Sequence, residues 1–278
     1  MADTIGIIVP ASNNPGYAEY AACIRKVAEL AGFAALTCFA PAHPSHEEAC
    51  VQELLDAGVS GICTMPVSVN AHALYEHLPV PVVLMGSRTT VPSLDYVVLD
   101  DYHAAFLVEE RLSACSCKRI AFLSCAKTPG YSAIDRSNGL SRAVRRNPDL
   151  ELDILQQDLP TESQEAAYDT VRQLMGQTVS PNAIVAQNDF LAYGALAALK
   201  DLGIRPGQDV AVMGFGNLPD SSLPEISLSS VTVVGKPMPE RAFELLCYRL
   251  SGEPRRGRKS IILAPRLVFR ESFRGNPL

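Results

Sequence analysis

No apolar run in this sequence approaches the ~18–20 residues that a membrane-spanning helix needs. The first residues, Met1-Ala2-Asp3-Thr4, supply neither the basic segment nor the long apolar stretch of a secretory leader. A Gly-x-Ser-x-Gly nucleophile elbow is missing as well. Gly214-Phe215-Gly216 lacks the third glycine of a dinucleotide loop and lies late in the chain. The eight cysteines are too sparse for a disulfide-stapled domain and read as reduced thiols of a cytoplasmic protein. Cys115-Ser116-Cys117 has no second cysteine pair beside it for zinc, and His43, His46, His72 and His77 follow no ligand spacing. These absences argue against an enzyme, and no catalytic residue, metal or cofactor is expected. Charged residues are 19% of the chain and the net charge is −6, so there is no global electrostatic pull toward nucleic acid.

What is present is hydrophobic material, 47% of 278 residues, enough for two medium cores. Short apolar runs alternate with helical stripes, a pattern of α/β structure with parallel sheets. Strands are expected at Thr4–Val9, Ala34–Phe39, Gly61–Thr64 and Val82–Met85 in a first half. The second half has Arg119–Ser124, Leu152–Gln156, Ala183–Ala186 and Asp209–Gly214. Pro15 opens a helix whose apolar positions Tyr17, Ala21, Ile24, Ala28 and Ala31 share one face. Thr161 and Gln164 have capping-box spacing before another helix. The tail offers a strand at Val231–Val234, a helix at Pro239–Leu250 and short strands at Ile261–Leu263 and Leu267–Phe269. Such a tail suggests that the chain returns to both halves.

Six stretches, in order, resemble one family. Ile5-Gly6-Ile7-Ile8-Val9-Pro10 with Asn14-Pro15-Gly16-Tyr17-Ala18-Glu19 looks like the opening of LacI/GalR effector-binding domains. Arg119–Leu123, the Arg136–Gly139 turn, Asn188-Asp189 through Ala195, Asp209–Phe215, and Leu263 through Ser272 with its Pro265-Arg266-Leu267-Val268 and Arg270-Glu271-Ser272 match later family segments. The resemblance implies a type 1 periplasmic-binding-protein fold: two Rossmann-like α/β lobes with parallel sheets and a hinge. The lobes are expected at 1–100 plus about 235–256, and at 101–234 plus about 257–278. It also implies a helix-turn-helix headpiece of about 60 residues ahead of the first strand. The chain starts almost on that strand, so operator DNA would be reached only through a headpiece it lacks.

Open α/β sheets collect ligands outside the carboxyl ends of their strands. The expected ligand-binding residues are therefore Asn14, Tyr17, Ser87, Arg136, Asn188, Gly216, Asn217 and Asp220. The resemblance gives Tyr17 the role of an aromatic stacking on the effector, although the helical stripe equally suits it to a core. Arg136 takes the place of an arginine that grips hydroxyl or carboxylate oxygens; otherwise it is a surface ion pair at a helix start. Asn188 is a ligand residue by resemblance and a helix cap by chemistry, with Asp189 free to cap in its stead. Gly86 and Gly216 stand where the family has sugar-binding aspartates, and Leu159 where it often has Trp or Phe. Loss of two anions would leave Arg136 seeking charge, with water or Asp220 as stand-in partners, and so points to an effector that carries a carboxylate or phosphate, such as a sugar acid, or at least is not a simple neutral hexose; the alternative is that Ser87 and Asn217 take over the hydroxyl contacts.

The resulting expectation is the ligand-sensing domain of a LacI-type regulator. It binds a small polar effector, works as a cytoplasmic homodimer and contacts no membrane. Helices at Ala71–His77, Ala49–Leu55 and Pro239–Leu250 could supply the dimer face. A solute-binding protein of a sugar importer is the alternative. The basic run Arg255-Arg256-Gly257-Arg258-Lys259 reads as a solvated loop.

Overall fold

A computed structural model describes residues 3–67, 72–115, 117–125, 132–146, 153–252 and 257–274. Contacts divide the chain into two units. The first comprises Met1–Leu99, Pro129–Ser132 and Val233–Ala264, and the second Asp100–Thr128, Ala133–Thr232 and Pro265–Leu278.

Unit 1 carries strands β1 (Thr4–Pro10), β2 (Ala34–Ala40), β3 (Gly61–Thr64), β4 (Val82–Met85), β5 (Asp95–Leu99) and β11 (Ser260–Leu263). Their order is β11-β5-β4-β3-β1-β2, and the five pairings are parallel. β1, β3 and β4 are continuous apolar runs because both faces of a parallel sheet are covered. The covering helices are α1 (Pro15–Leu30), α2 (Pro44–Asp56), α3 (His72–Glu76) and α8 (Met238–Leu250). α1 starts where it does because Pro15 supplies a helical φ and Asn14 caps, its Oδ1 accepting from the Gly16 amide at 3.0 Å.

Unit 2 repeats the plan. Its sheet runs β12-β10-β9-β8-β6-β7, from β6 (Arg119–Ser124), β7 (Asp153–Asp158), β8 (Ala183–Ala186), β9 (Ala211–Phe215), β10 (Ser229–Val233) and β12 (Pro265–Val268). Its helices are α4 (Asp101–Ala114), α5 (Ser132–Arg146), α6 (Gln164–Met175) and α7 (Asp189–Asp201). α7 is nearly all buried, and a Cβ on Gly194 would sit 2.2 Å from the Gln164 carbonyl oxygen. That glycine brings the start of α6 against α7, which matters for the site below.

Several expectations change. β5 is absent from the sequence reading, yet it is buried throughout. Its leading Asp95 disguises it, since that carboxylate takes a bidentate ion pair from Arg249, 154 residues away, at 2.5 and 2.7 Å. The second division falls after Ala264 and not near 256, because β11 pairs with β5 and thereby joins unit 1. Thr161 does not cap α6. Ser163 does, its Oγ accepting from the Ala166 amide at 3.1 Å, because the helix begins two residues later than the Thr161–Gln164 spacing suggests. The apolar residues of α8, Ala242, Phe243, Leu245 and Leu246 among them, are buried inside unit 1 and leave little apolar surface for a partner. Tyr75 of α3 and Val51 and Leu54 of α2 are buried likewise. All eight cysteines are free thiols. Of the basic run, 255–256 lie outside the described residues; Arg258 donates to the Thr89 carbonyl at 2.6 Å, so this part is tied down.

Candidate functional site

The carboxyl ends of β1, β3 and β4 form one polar rim in unit 1. Asn14 and Tyr17 follow β1, and both are buried. Asn14 is a helix cap first, so its amide oxygen is committed to the Gly16 backbone. Ser87 follows β4, is 1% exposed, and pairs with His72 Nε2 at 2.9 Å. Burial lowers the pKa of His72, favouring the neutral ring. Glu47 reaches in from α2 and accepts from the Val67 amide at 3.3 Å to each oxygen and from the Tyr75 hydroxyl. Tyr75 is 2.9 Å from the Thr64 hydroxyl. Desolvation raises the Glu47 pKa against the pull of those donors. Gly86 has φ +64°, a backbone shape that disfavours the side chain expected there.

Unit 2 builds its strand ends from charge. Arg136 on α5 donates from Nε to Asp101 Oδ1 at 2.7 Å, with the two side chains 14% and 4% exposed. Its Nη1 donates to the Gln187 carbonyl, and its guanidinium lies 4.3 Å from the centre of the Phe215 ring. The pair overturns the argument that Arg136 lacks a counter-charge. The first residue of α4 supplies one from 35 positions upstream, and neither water nor Asp220 is needed. A buried pair with hydrogen bonds to spare explains why a cation is tolerated at a helix start.

Asn188 is the cap of α7, accepting from the Leu191 amide at 2.9 Å, while its Nδ2 donates to Glu162 at 2.5 Å. Asp189 therefore does not cap; it is fully buried and holds the loop after β9. It accepts from the Leu218 amide at 2.7 Å, Ser221 Oγ at 2.8 Å and Ser230 Oγ at 2.6 Å. Burial raises its pKa, against the opposing pull of those bonds and of Arg270. The neighbouring Tyr193 hydroxyl, 2.9 Å from Ser221 Oγ, is pushed up to about 12, chiefly by burial. Gly216 (φ +122°) and Asn217 (φ +52°) turn this loop, and Asn217 Oδ1 accepts from Arg270 Nη2 at 2.7 Å. Asp220 is exposed on the 3-10 turn Pro219–Ser222. Leu159 is buried in the core of unit 2 and forms no aromatic wall.

Arg136 and Asn188 are thus brought to one place through Gln187. Gly216, Asn217 and Asp220 share one loop in the same unit. Asn14, Tyr17 and Ser87 are gathered at the ends of β1 and β4. Asp101, Glu162, Gln187 and Phe215 belong with this constellation and are missing from the sequence reading. Phe215 ends a recognisable strand and could have been found; Asp101 looks like any acidic residue in a first helical turn.

The family of "Periplasmic binding proteins and sugar binding domain of LacI family" matches residues 2–246. The chain belongs to the LacI family. It is an effector-binding domain of that family, a regulatory module and not an enzyme. The HTH-type transcriptional repressor PurR of Mannheimia succiniciproducens is 24% identical over 276 residues, 98% of this chain and 81% of PurR. Among solved structures, a LacI family regulator from Enterococcus faecium with bound ribose superposes with a TM-score of 0.83 at 21% identity, covering 99% and 100% of the two chains. The Lac repressor dimer bound to operator and the anti-inducer ONPF gives 0.83 at 20%, covering 98% and 94%. At these identities the structures support the two-unit α/β fold.

Proposed function

We propose that this LacI-family domain senses a small hydroxyl-rich molecule, a sugar or sugar acid, at the carboxyl ends of its parallel strands. Its occupancy then alters the operator affinity of a cytoplasmic homodimeric regulator. The observation that carries the reading is the state of Arg136. Nε and Nη1 are fixed by Asp101 and the Gln187 carbonyl, and the ring of Phe215 supports the guanidinium plane. Nη2 makes no hydrogen bond among the described residues and can donate to a ligand oxygen. A fork held this firmly loses little freedom on binding. Asn188 and Glu162 beside it supply a second donor–acceptor set. Because Asp101 neutralises the arginine, a preference for anions no longer follows from Arg136; hydroxyl and carboxylate oxygens both suit the remaining donor. For regulation, the effector must prefer one arrangement of the regulator over another, since coupling is a difference in affinity.

The test is calorimetric titration with hexoses and their hexuronic acids, on the native protein and on Arg136→Lys. Lysine keeps a cation beside Asp101 but loses the fork. At least tenfold weaker binding is expected. Unchanged affinity would remove Arg136 from the site.

For the dimer, the exposed apolar residues Leu30, Leu36 and Phe39 at the end of α1 and on edge strand β2 are a better candidate face than α8. Light scattering should give twice the monomer mass at micromolar concentration, and Phe39→Glu should reduce it. A monomer throughout would count against the pairing.

A further inference from the structure

We propose that the cavity between α4 and α5 of the second unit is a binding site for an aromatic ammonium compound, separate from the strand-end site. It encloses about 880 Å³, within the ~300–1,000 Å³ usual for small-molecule sites. No residue of its lining belongs to the strand-end set.

The walls follow from how the two helices meet. A Cβ on Gly139 would lie 2.7 Å from the Ala105 Cβ and 2.9 Å from the Tyr102 carbonyl oxygen, so α5 touches the α4 backbone there. One turn on, Ala143 is again small and leaves room beside α4. Tyr102, Phe106 and Glu109 stand at i, i+4 and i+7 of α4 and share the face that lines this space. The Tyr102 and Phe106 rings lie 5.3 Å apart, tilted by 47°, and supply an aromatic wall. The Tyr102 hydroxyl oxygen is buried without a hydrogen bond among the described residues, which leaves it a bond to spare. Glu109 is 7% exposed. Its Oε1 accepts from Ser113 Oγ at 2.5 Å, and no cation pairs with its carboxylate among the described residues. A buried carboxylate without a counter-ion is costly, and a ligand cation relieves that cost. Glu110 adds a second carboxylate at the exposed edge, beside His103. Arg142, in the opposite wall, is exposed and lies 5.9 Å from the centre of the Tyr102 ring, where water screens it. The charge shielded from water is therefore negative, and the surface beside it is aromatic. An ammonium gains a charge-assisted bond and a ring face, and an aromatic ring attached to it gains apolar contact. A ligand carboxylate would meet repulsion from Glu109.

The experiment uses the 278-residue chain and NMR titration with three probes. Tryptamine carries both a ring and an ammonium. Indole-3-propionate keeps the ring and has a carboxylate instead, and hexylamine keeps the ammonium without a ring. Tryptamine should bind about tenfold more tightly than either of the others, since each lacks one of the two contacts. Glu109→Gln keeps an acceptor for Ser113 and removes the charge. It should weaken tryptamine about tenfold and leave indole-3-propionate no weaker; a merely structural role would move the two together. Phe106→Leu should bring tryptamine close to hexylamine while hexylamine itself changes less than about threefold. Arg136→Lys, which alters the strand-end site, should leave tryptamine affinity within about threefold, as for an independent site. A measurement without any variant supports the same point: hydrogen exchange of the native protein over α4 and α5 should slow as tryptamine saturates it. Indole-3-propionate binding as tightly as tryptamine, a tryptamine affinity indifferent to Glu109→Gln, or a loss shared with Arg136→Lys overturns the inference. So does the absence of tryptamine binding at millimolar concentration. None of these results bears on the sugar reading of the strand ends, which its own titration tests.

Discussion

Two sheets of the same topology end in two different kinds of polar rim. In unit 1 the strand ends are organised by hydrogen bonds, none of which belongs to an ion pair: a cap at Asn14, the Ser87–His72 pair, and Glu47 with the Val67 amide and the Tyr75 hydroxyl. Its most buried ion pair among the described residues, Arg249–Asp95, joins α8 to the start of β5, at the opposite ends of the strands. In unit 2 the ion pair Arg136–Asp101 sits at the strand ends themselves, flanked by Asp189 and Arg270. One plan can therefore be finished with hydrogen-bonded polar groups or with a buried ion pair, and the placement of charge distinguishes the two.

The sharpest break of that comparison removes one ion pair from each unit. Arg249→Ala and Arg136→Ala should each cost about 3–5 kcal/mol, because a buried carboxylate is left alone. Chemical denaturation measures both. Only the second should also weaken effector binding per folded molecule; equal binding losses would erase the distinction between the units.

A smaller effect, about 2 kcal/mol, is expected from Asp189→Ala, which strands two hydroxyls and the Leu218 amide. Hydrogen exchange at the Leu218 amide should rise well before global unfolding. Protection equal to the native protein's would show that the loop after β9 does not depend on Asp189.

Cap removal ranks next. Asn14→Ala and Asn188→Ala should each lose about 1 kcal/mol. Asn188→Ala should in addition weaken ligand binding, since it also releases Glu162. Identical binding behaviour in the two variants would argue that Asn188 is a cap and nothing more.

The finest test is a pH profile. Burial raises the Glu47 pKa in the folded state, so the native fold holds this proton more tightly than the unfolded chain does. Its contribution to stability is fully present below the unfolded pKa and is lost as pH rises through the folded one. Relative to Glu47→Gln, the native protein should therefore gain stability as pH falls from neutral toward the ordinary carboxylate range. A pH-independent difference would mean that Glu47 is not desolvated as described.

The alternation of apolar runs and stripes makes most of both sheets readable from sequence, because a strand such as β1 or β8 is buried on both faces and shows it. β5 escapes because its first residue is a carboxylate whose partner lies 154 positions on. The same blindness hides Asp101: nothing local says that this acidic residue, of two in succession, will meet Arg136. The Thr161 error is of another kind. Thr161 and Ser163 are both competent caps, and only the packing of α6 on α7 decides where the helix starts. Arg136 and Asn188 were legible as chemistry, whereas their partners were a matter of tertiary geometry.

The order of the strands has a consequence for synthesis. β11 and β12, the last strand added to each sheet, are separated in the chain by Ala264 alone. Until β11 and β12 are made, each sheet is one strand short and has an unpaired backbone edge, at β5 and at β10. Unpaired edges invite pairing with other chains. Both are closed by one short segment, so the two sheets gain their final strands together, and the interval before that segment is made is the one most exposed to misassembly.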